Sequence, residues 1–372
     1  MDLEQQLDAA ITKAIADNRI VGSVVMVRQN GQVLYAKAHG LADREHNRPM
    51  TVDAIFRLSS LTKPIVAATI LALVDDGKMD LQEPITTYLP QFRPRMATGE
   101  APTITIHQLL THVSGLSSAS ILTEAEQSAG VNRWRLGTEE ILRRLADLPL
   151  LFAPGNGWSY GPGLDVLAAV AAQLVGGQPE DAIRKYVADP LNMADTRFTV
   201  TDPARLAAAY ADGPDGPVLM GDPHIVPNKW GGVTTYDPGR ILDAEAFQSG
   251  GGGMAGTAGD FMALLEALRT GGGPILTPEI TALGLGNQTP QLSYSQSPGW
   301  QFSYFGAWLE DPVTAGTPAS PGTNRWGGIY GHNWFIDPAR GLSVASMSNT
   351  GPEGSDGDYV TEVRDAIYAA LG

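Results

Sequence analysis

Residues 56–64 read FRLSSLTKP, and how this stretch is read decides the fold. Ser60 stands three residues before Lys63, a Ser-x-x-Lys pair. From Leu61 to Val74 the chain is apolar almost without interruption, and it stops at Asp75-Asp76-Gly77. A helix apolar on every face is a buried helix, and Gly77 is placed to close its C-terminus. Residues three apart on a helix share a face, so the Lys63 amine can reach the Ser60 hydroxyl. Ser60 would then sit at the helix N-terminus, beside free backbone N–H groups and the positive end of the helix dipole. On these residues alone two readings stay open. Either Ser60 is a nucleophile with Lys63 as its base, or Lys63 is a first-turn surface residue and Ser60 or Ser59 a simple cap.

A second serine competes. Residues 157–161 read GWSYG, the Gly-x-Ser-x-Gly pattern of a nucleophile elbow with Ser159 at its centre. The pattern is weak in a chain with 43 glycines. An elbow needs a strand running straight into it, whereas Pro154-Gly155-Asn156-Gly157 reads as a loop. It also needs a parallel sheet with an acid and a histidine downstream. His224 and His332 follow, but neither has a diagnostic setting. Ser159 is expected to be a loop serine between glycines.

Working outward, SVVMVRQNGQVLYAKAHG precedes the Ser60 segment, with two apolar runs flanking Asn30-Gly31, a hairpin signal. Before it, Leu3, Leu7, Ile11 and Ile15 recur every four residues, an amphipathic helix. Residues from about 80 to 240 alternate helical patches with long loops punctuated by Pro and Gly. The glycine run 250–253 leads into a helix with Asp260 as its expected N-cap. The last hundred residues carry the strand-like runs GWQFSYFGAWLE, WGGIYGHNWFIDP and GLSVASMSNT, and a helix closes the chain. Strands at both ends with helices between are not the alternating order of a parallel sheet. The expected fold is α+β: an antiparallel sheet flanked by helices, with an inserted mostly helical domain. Residues 1–59 and 243–372 would form the sheet domain, residues 60–242 the helical one, and the active site would lie in the cleft between them.

Bulk properties narrow the function. The chain has 372 residues, 43% hydrophobic and 17% charged, with a net charge of −15. Such an acidic surface repels nucleic acid and anionic membranes. With no cysteine, disulfides, thiolate catalysis and Cys-bound metals are excluded. The first residues lack the basic and apolar regions of a signal peptide, and no apolar run is long enough to span a membrane. A soluble, cytoplasmic protein is expected.

At this point the residues carry a family. FRLSSLTKPIVAATILALVDDGKMDLQEPITTYLP and TIHQLLTHVSGL, then FAPGNGWSYGPGLDVLAAV, QSGGGGMAGTAGDF and WGGIYGHNWFIDPARGLSVASMSNT, resemble the serine β-lactamase and penicillin-binding protein superfamily in its class C-like branch. The likeness spans roughly residues 5 to 370 and is nearest to the family VIII carboxylesterases, in which a Gly-x-Ser-x-Gly decoy is a familiar feature. It implies the β-lactamase/transpeptidase-like fold and three motifs. The first is Ser60 and Lys63, nucleophile and base partner. The second, Tyr-x-Asn, keeps Tyr160 but has Pro162 in its third position. The third, Lys-Thr-Gly, is here Trp326-Gly327-Gly328. The oxyanion hole would come from the backbone N–H groups of Ser60 and Ile329.

The departures point to substrate. The family's third-motif lysine helps to hold a substrate carboxylate, and Trp326 cannot pair with one. Its ring suits an uncharged acyl or alcohol group. Losing the second-motif asparagine removes an amide that grips a peptide-like side chain. The resemblance therefore implies a serine esterase for short-chain carboxylic esters, with Lys63 and Tyr160 as the acid–base pair and β-lactam hydrolysis as a weak side activity. Competing readings are a β-lactamase, D-Ala-D-Ala peptidase or amide hydrolase of the same fold, an acyltransferase, and a catalytically dead binding homologue. No metal or cofactor is implied. The expected partner is a small-molecule ester, with oligomeric state left open. Trp326, Gly327, Gly328 and His332 are the candidate substrate-binding residues. His107 and His112 are read as structural, Gly250 to Gly253 as a tight turn lining or backing the cleft, and Trp230 as a rim residue.

Overall fold

A computed structural model of the chain describes residues 2–227, 233–292 and 297–372; Trp230 lies outside the described residues. The centre is an eight-stranded sheet, antiparallel at every pairing. Its strands run Trp300–Phe302, Ala307–Leu309, Asn324–Gly328, His332–Asp337, Leu342–Ser348, Gly22–Gln29, Gln32–Asp43 and Arg48–Pro49. The N-terminal hairpin therefore completes a sheet begun by the C-terminal third. Its turn is Asn30-Gly31, both left-handed at φ 50° and 81°, the geometry that lets two strands reverse without splaying.

Side chains alternate across a strand, and the two faces fill differently. Val25, Val27, Phe335 and Val344 pack with Leu7 and Ile11 of the helix Leu3–Ala16 and with Tyr359 and Val363 of the helix Asp358–Leu371. Val24, Trp334, Ile336 and Ala345 face the other way, into the core that holds Phe261 and Leu265 of the helix Ala258–Arg269. That core continues into the helix Thr62–Asp75, buried from Pro64 through Leu73, as its unbroken apolar run predicts. Asp76 caps it and Gly77 follows in the left-handed region.

Ile55–Arg57 pairs antiparallel with Ala255–Thr257, and the Leu58 N–H bonds the Met254 carbonyl at 2.9 Å. This small sheet ties the approach to Ser60 to the exit from the glycine run. Asp260 is not the N-cap of the helix that follows. Thr257 is, its hydroxyl accepting the Asp260 N–H at 3.1 Å, because the helix starts directly from the strand. Asp260 instead accepts the Asp195 N–H and the Thr196 hydroxyl. The central region also holds two short hairpins, Tyr210–Ala211 with Val218–Leu219 and His224–Pro227 with Val233–Tyr236. No helix among the described residues is long and apolar enough to cross a membrane.

Candidate active site

Ser60 lies in the 3-10 turn Ser59–Leu61, which runs straight into the helix Thr62–Asp75. Ser59 is left-handed at φ 44°. A non-glycine residue in that region is costly and persists where the surroundings enforce it. Lys63, one helical turn on, brings Nζ to 3.3 Å from Ser60 Oγ and also donates to the Gly251 carbonyl. Gly251 is anchored in turn by Asp165, whose carboxylate accepts the Gly251 N–H at 3.0 Å and the Ser249 hydroxyl at 2.6 Å. A Cβ on Gly251 would fall 2.8 Å from that carboxylate and push it aside.

Tyr160 arrives from a different part of the chain. Its hydroxyl is 2.8 Å from Ser60 Oγ and accepts a hydrogen bond from Trp326 Nε1 at 3.2 Å. The Lys63 ammonium sits 4.4 Å from the centre of the Tyr160 ring. Ser60, Lys63 and Tyr160 are thus brought together as their motifs predict. Ser159 is not brought with them. No strand enters residues 157–161, the Ser159 N–H bonds the His112 carbonyl at 3.0 Å, and its side chain lines neither cavity beside Ser60.

The strand Asn324–Gly328 presses against the nucleophile turn. A Cβ on Gly328 would fall 2.7 Å from both the Leu58 carbonyl and Ser59 Oγ, so the two backbones are as close as an absent side chain allows. The Gly328 carbonyl accepts the Gly331 N–H at 2.8 Å. A trans peptide points its N–H opposite to its carbonyl, so the Ile329 N–H is turned out of that hairpin loop. Gly328→Ala is expected to shift the strand outward, costing about 1–3 kcal/mol of stability and lowering ester kcat/KM by about tenfold or more through displacement of the Ile329 N–H from Ser60. A variant that unfolds at the wild-type denaturant midpoint with unchanged kcat/KM contradicts this.

His332 does not reach the substrate side. Trp326 pairs with Trp334, Gly327 with Asn333 and Gly328 with His332. Alternation along the strand sends Asn333 into a cavity beside Trp326 and His332 inward. His332 is 1% exposed, its Nε2 is 2.8 Å from the Arg57 carbonyl, and its ring meets Phe56 edge-on at 5.5 Å. Burial pulls its pKa down to about 4. His107, as read from sequence, is structural, with Nδ1 2.8 Å from the Tyr304 hydroxyl.

His112 is nearer the chemistry than the sequence indicates. It is buried, left-handed at φ 60°, and 4.7 Å from the Tyr160 ring. Its Nδ1 faces the Gly161 N–H at 3.4 Å. Burial, and then the Lys63 charge, push its pKa down to about 3 from 6.5. Between those pH values the unfolded chain binds a proton that the folded chain refuses. Stability from this group is therefore full above about pH 6.5 and is lost as pH falls toward 3, at ~1.4 kcal/mol per unit. His112→Asn, which keeps an acceptor for Gly161, is expected to show a shallower drop in urea midpoint from pH 7 to pH 4 than wild type. Parallel drops would contradict the assignment.

Two cavities open onto Ser60 and Tyr160. One, of about 330 Å³, is lined by Lys63, Trp134, Tyr236, Arg240, Phe247 and Ile329. The other, of about 390 Å³, is lined by Trp326, Asn333, Ser355 and Val360. Sequence reasoning did not find Asp165, Trp134, Tyr236, Arg240 or Phe247. They lie in a loop, in short 3-10 turns, at a strand end and at a helix start, whose spacing to the motifs carries no periodic signal. Among the described residues no group of three or more His, Asp or Glu could hold a metal ion.

The profile of the beta-lactamase family matches residues 7–369. The chain belongs to the beta-lactamase family. Within that family it is 44% identical to Esterase EstB of Burkholderia gladioli, over 99% of this chain and 95% of that protein. It is 28% identical to a lovastatin esterase of Penicillium rubens, over 97% and 96%. Among solved structures it superposes on EstCE1, described as a hydrolase with promiscuous acyltransferase activity, with a TM-score of 0.92 and 38% identity over 98% of each chain. The β-lactamase/transpeptidase-like fold and the likeness to family VIII esterases, both expected from the motifs, hold.

Proposed function

We propose that this beta-lactamase family member is a serine carboxylesterase that hydrolyses short-chain esters through an acyl-enzyme on Ser60. The observation that carries the reading is one oxygen with two proton-handling partners: Ser60 Oγ lies 2.8 Å from the Tyr160 hydroxyl and 3.3 Å from Lys63 Nζ. Ser60 attacks the ester carbonyl while Lys63 and Tyr160 accept its proton. The N–H groups of Ser60 and Ile329 hold the oxyanion, a donor pair worth a few kcal/mol. Tyr160 then protonates the leaving alcohol, and water hydrolyses the acyl-enzyme by the same route in reverse.

The Tyr160 hydroxyl is bonded to Trp326, so the departing alcohol belongs in the Trp326 cavity and the acyl group in the cavity past Lys63. The apolar indole suits a neutral alcohol. The reading places the site in the cleft between a sheet domain of residues 1–59 and 243–372 and a mostly helical domain of residues 60–242, working in the cytoplasm. An alcohol that enters the vacated Trp326 cavity can replace water, so acyl transfer is the second reading, and EstCE1 supports it by its description.

The test is turnover of p-nitrophenyl acetate and butyrate, followed by labelling with a fluorophosphonate and peptide mapping. Turnover with one label on Ser60 is expected. A label on Ser159, or no turnover and no label, overturns the reading. Adding methanol to the butyrate assay then separates the two fates of the acyl-enzyme, since methyl butyrate appears only if an alcohol competes with water.

A further inference from the structure

The cavity past Lys63 is lined by a half-buried cation, Arg240. Arg240 sits on the 3-10 turn Pro238–Leu242. Its guanidinium lies 3.9 Å from the Trp134 ring centre and donates one Nη to the Gly252 carbonyl. Among the described residues no carboxylate forms an ion pair with it. The two acids that act on it, Asp165 and Asp237, line the same cavity, and each spends one carboxylate oxygen on other donors. Asp237 takes Trp134 Nε1 at 2.8 Å and faces Arg133 at 3.5 Å. Asp165 takes the Ser249 hydroxyl and the Gly251 N–H. Burial pulls the pKa of Arg240 below its ordinary value, against the opposing pull of Tyr330, Asp165 and Asp237. A guanidinium carries five N–H donors in a fixed fork, and only one contact to a protein acceptor, the Gly252 carbonyl, is made here among the described residues. Arg57 is half-buried too, but it spends donors on the Pro238 and Ala207 carbonyls and lines neither cavity beside Ser60. Arg240 faces one.

The position is informative. Lys63 holds the Gly251 carbonyl and Arg240 the Gly252 carbonyl, so the two cations bind successive residues of the glycine run that lines the cavity. An acyl group on Ser60 that enters this cavity shares it with Ile141, Leu145, Phe247 and Arg240. We propose that Arg240 is a specificity-determining residue that selects acyl groups ending in a carboxylate, so that the preferred substrate is a half-ester of a short dicarboxylic acid with a neutral alcohol. This rests on the esterase reading and deepens it: the Trp326 side takes the uncharged alcohol, and the anion lies on the acyl side only. A carboxylate fits better than a neutral carbonyl because guanidinium–carboxylate pairs are charge-assisted and bidentate. The covalent steps are unchanged. The Ser60 Oγ–acyl bond forms as the ester C–O bond breaks, the serine proton leaves with the alcohol, and water releases the dicarboxylate.

The test compares kcat/KM for p-nitrophenyl hemisuccinate and hemiglutarate with that for p-nitrophenyl butyrate and valerate. Wild type is expected to favour the half-esters by about tenfold or more, the scale of a hydrogen bond to a charged group. Arg240→Gln is expected to collapse that ratio to near one, and Arg240→Lys to restore part of it. A wild-type ratio near one, or a ratio unchanged in Arg240→Gln, overturns the proposal and leaves Arg240 as a support for the glycine loop. Should Arg240→Gln not fold, competition decides: glutarate must inhibit wild-type butyrate turnover more strongly than valerate does, and equal inhibition overturns the proposal. Butyrate turnover without half-ester preference defeats only the role of Arg240. Absence of butyrate turnover, with no fluorophosphonate label, defeats the esterase reading beneath it.

Discussion

Ser60→Ala is expected to abolish p-nitrophenyl butyrate turnover, lowering kcat by at least about four orders of magnitude. Ser159→Ala is expected to stay within about threefold of wild type, as changes away from packed or functional groups do. The contrast follows from position. Among the described residues Ser60 Oγ is the one hydroxyl bonded to both Lys63 Nζ and the Tyr160 hydroxyl, and it opens onto both cavities. Ser159 lies in a loop with no strand feeding it. The serine two residues before Gly161 matters to this site only as the neighbour of Tyr160. Removing Ser60 Oγ removes the attacking atom itself, so neither Lys63 nor Tyr160 has a proton to take. Circular dichroism and urea midpoints of both variants should match wild type, since Ser60 contributes no core packing. Retained activity in Ser60→Ala with loss in Ser159→Ala would refute both the site and the mechanism.

How far the sequence revealed this site depends on the kind of signal each residue carries. Ser60 and Lys63 were legible because a helix fixes their relation: spacing of three gives one face, and the buried run after them gives the interior setting. The sheet was legible because strand runs stood at both ends and Asn30-Gly31 named its hairpin. Tyr160 was reachable only through the resemblance, since nothing in its own loop says that it meets Ser60. His332 misled for a local reason. On an antiparallel strand one residue of register separates the cavity face from the core face, and Asn333, not His332, took the cavity. Asp165 and Arg240 were invisible because their roles run through the carbonyls and N–H groups of Gly251 and Gly252. A glycine run in a sequence says that backbone comes close to something, but not to what.

Tyr160→Phe is expected to lower kcat/KM for alkyl esters such as ethyl butyrate by about 10²–10⁴-fold, the range of a positioned acid or base, and to cost clearly less on p-nitrophenyl butyrate. The difference tests the role, not just the presence, of the phenol. An alkoxide must be protonated to leave, and Tyr160 Oη, bonded to both Ser60 Oγ and Trp326 Nε1, is the group the proposed mechanism assigns to deliver that proton. A nitrophenolate leaves without one, so only the help in deprotonating Ser60 is lost. Phenylalanine keeps the ring against His112 and Lys63, which separates loss of the hydroxyl from loss of packing. Lys63→Met should fall by a similar factor, because it too removes a contact to Ser60 Oγ. The double variant should fall little further than either single one, since groups that act as one proton-handling unit are far from additive. Losses that multiply in the double variant would mean that the two residues act separately. Equal losses of Tyr160→Phe on alkyl and nitrophenyl esters would remove Tyr160 from the protonation of the leaving group and pass that step to Lys63, whose amine shares the same oxygen.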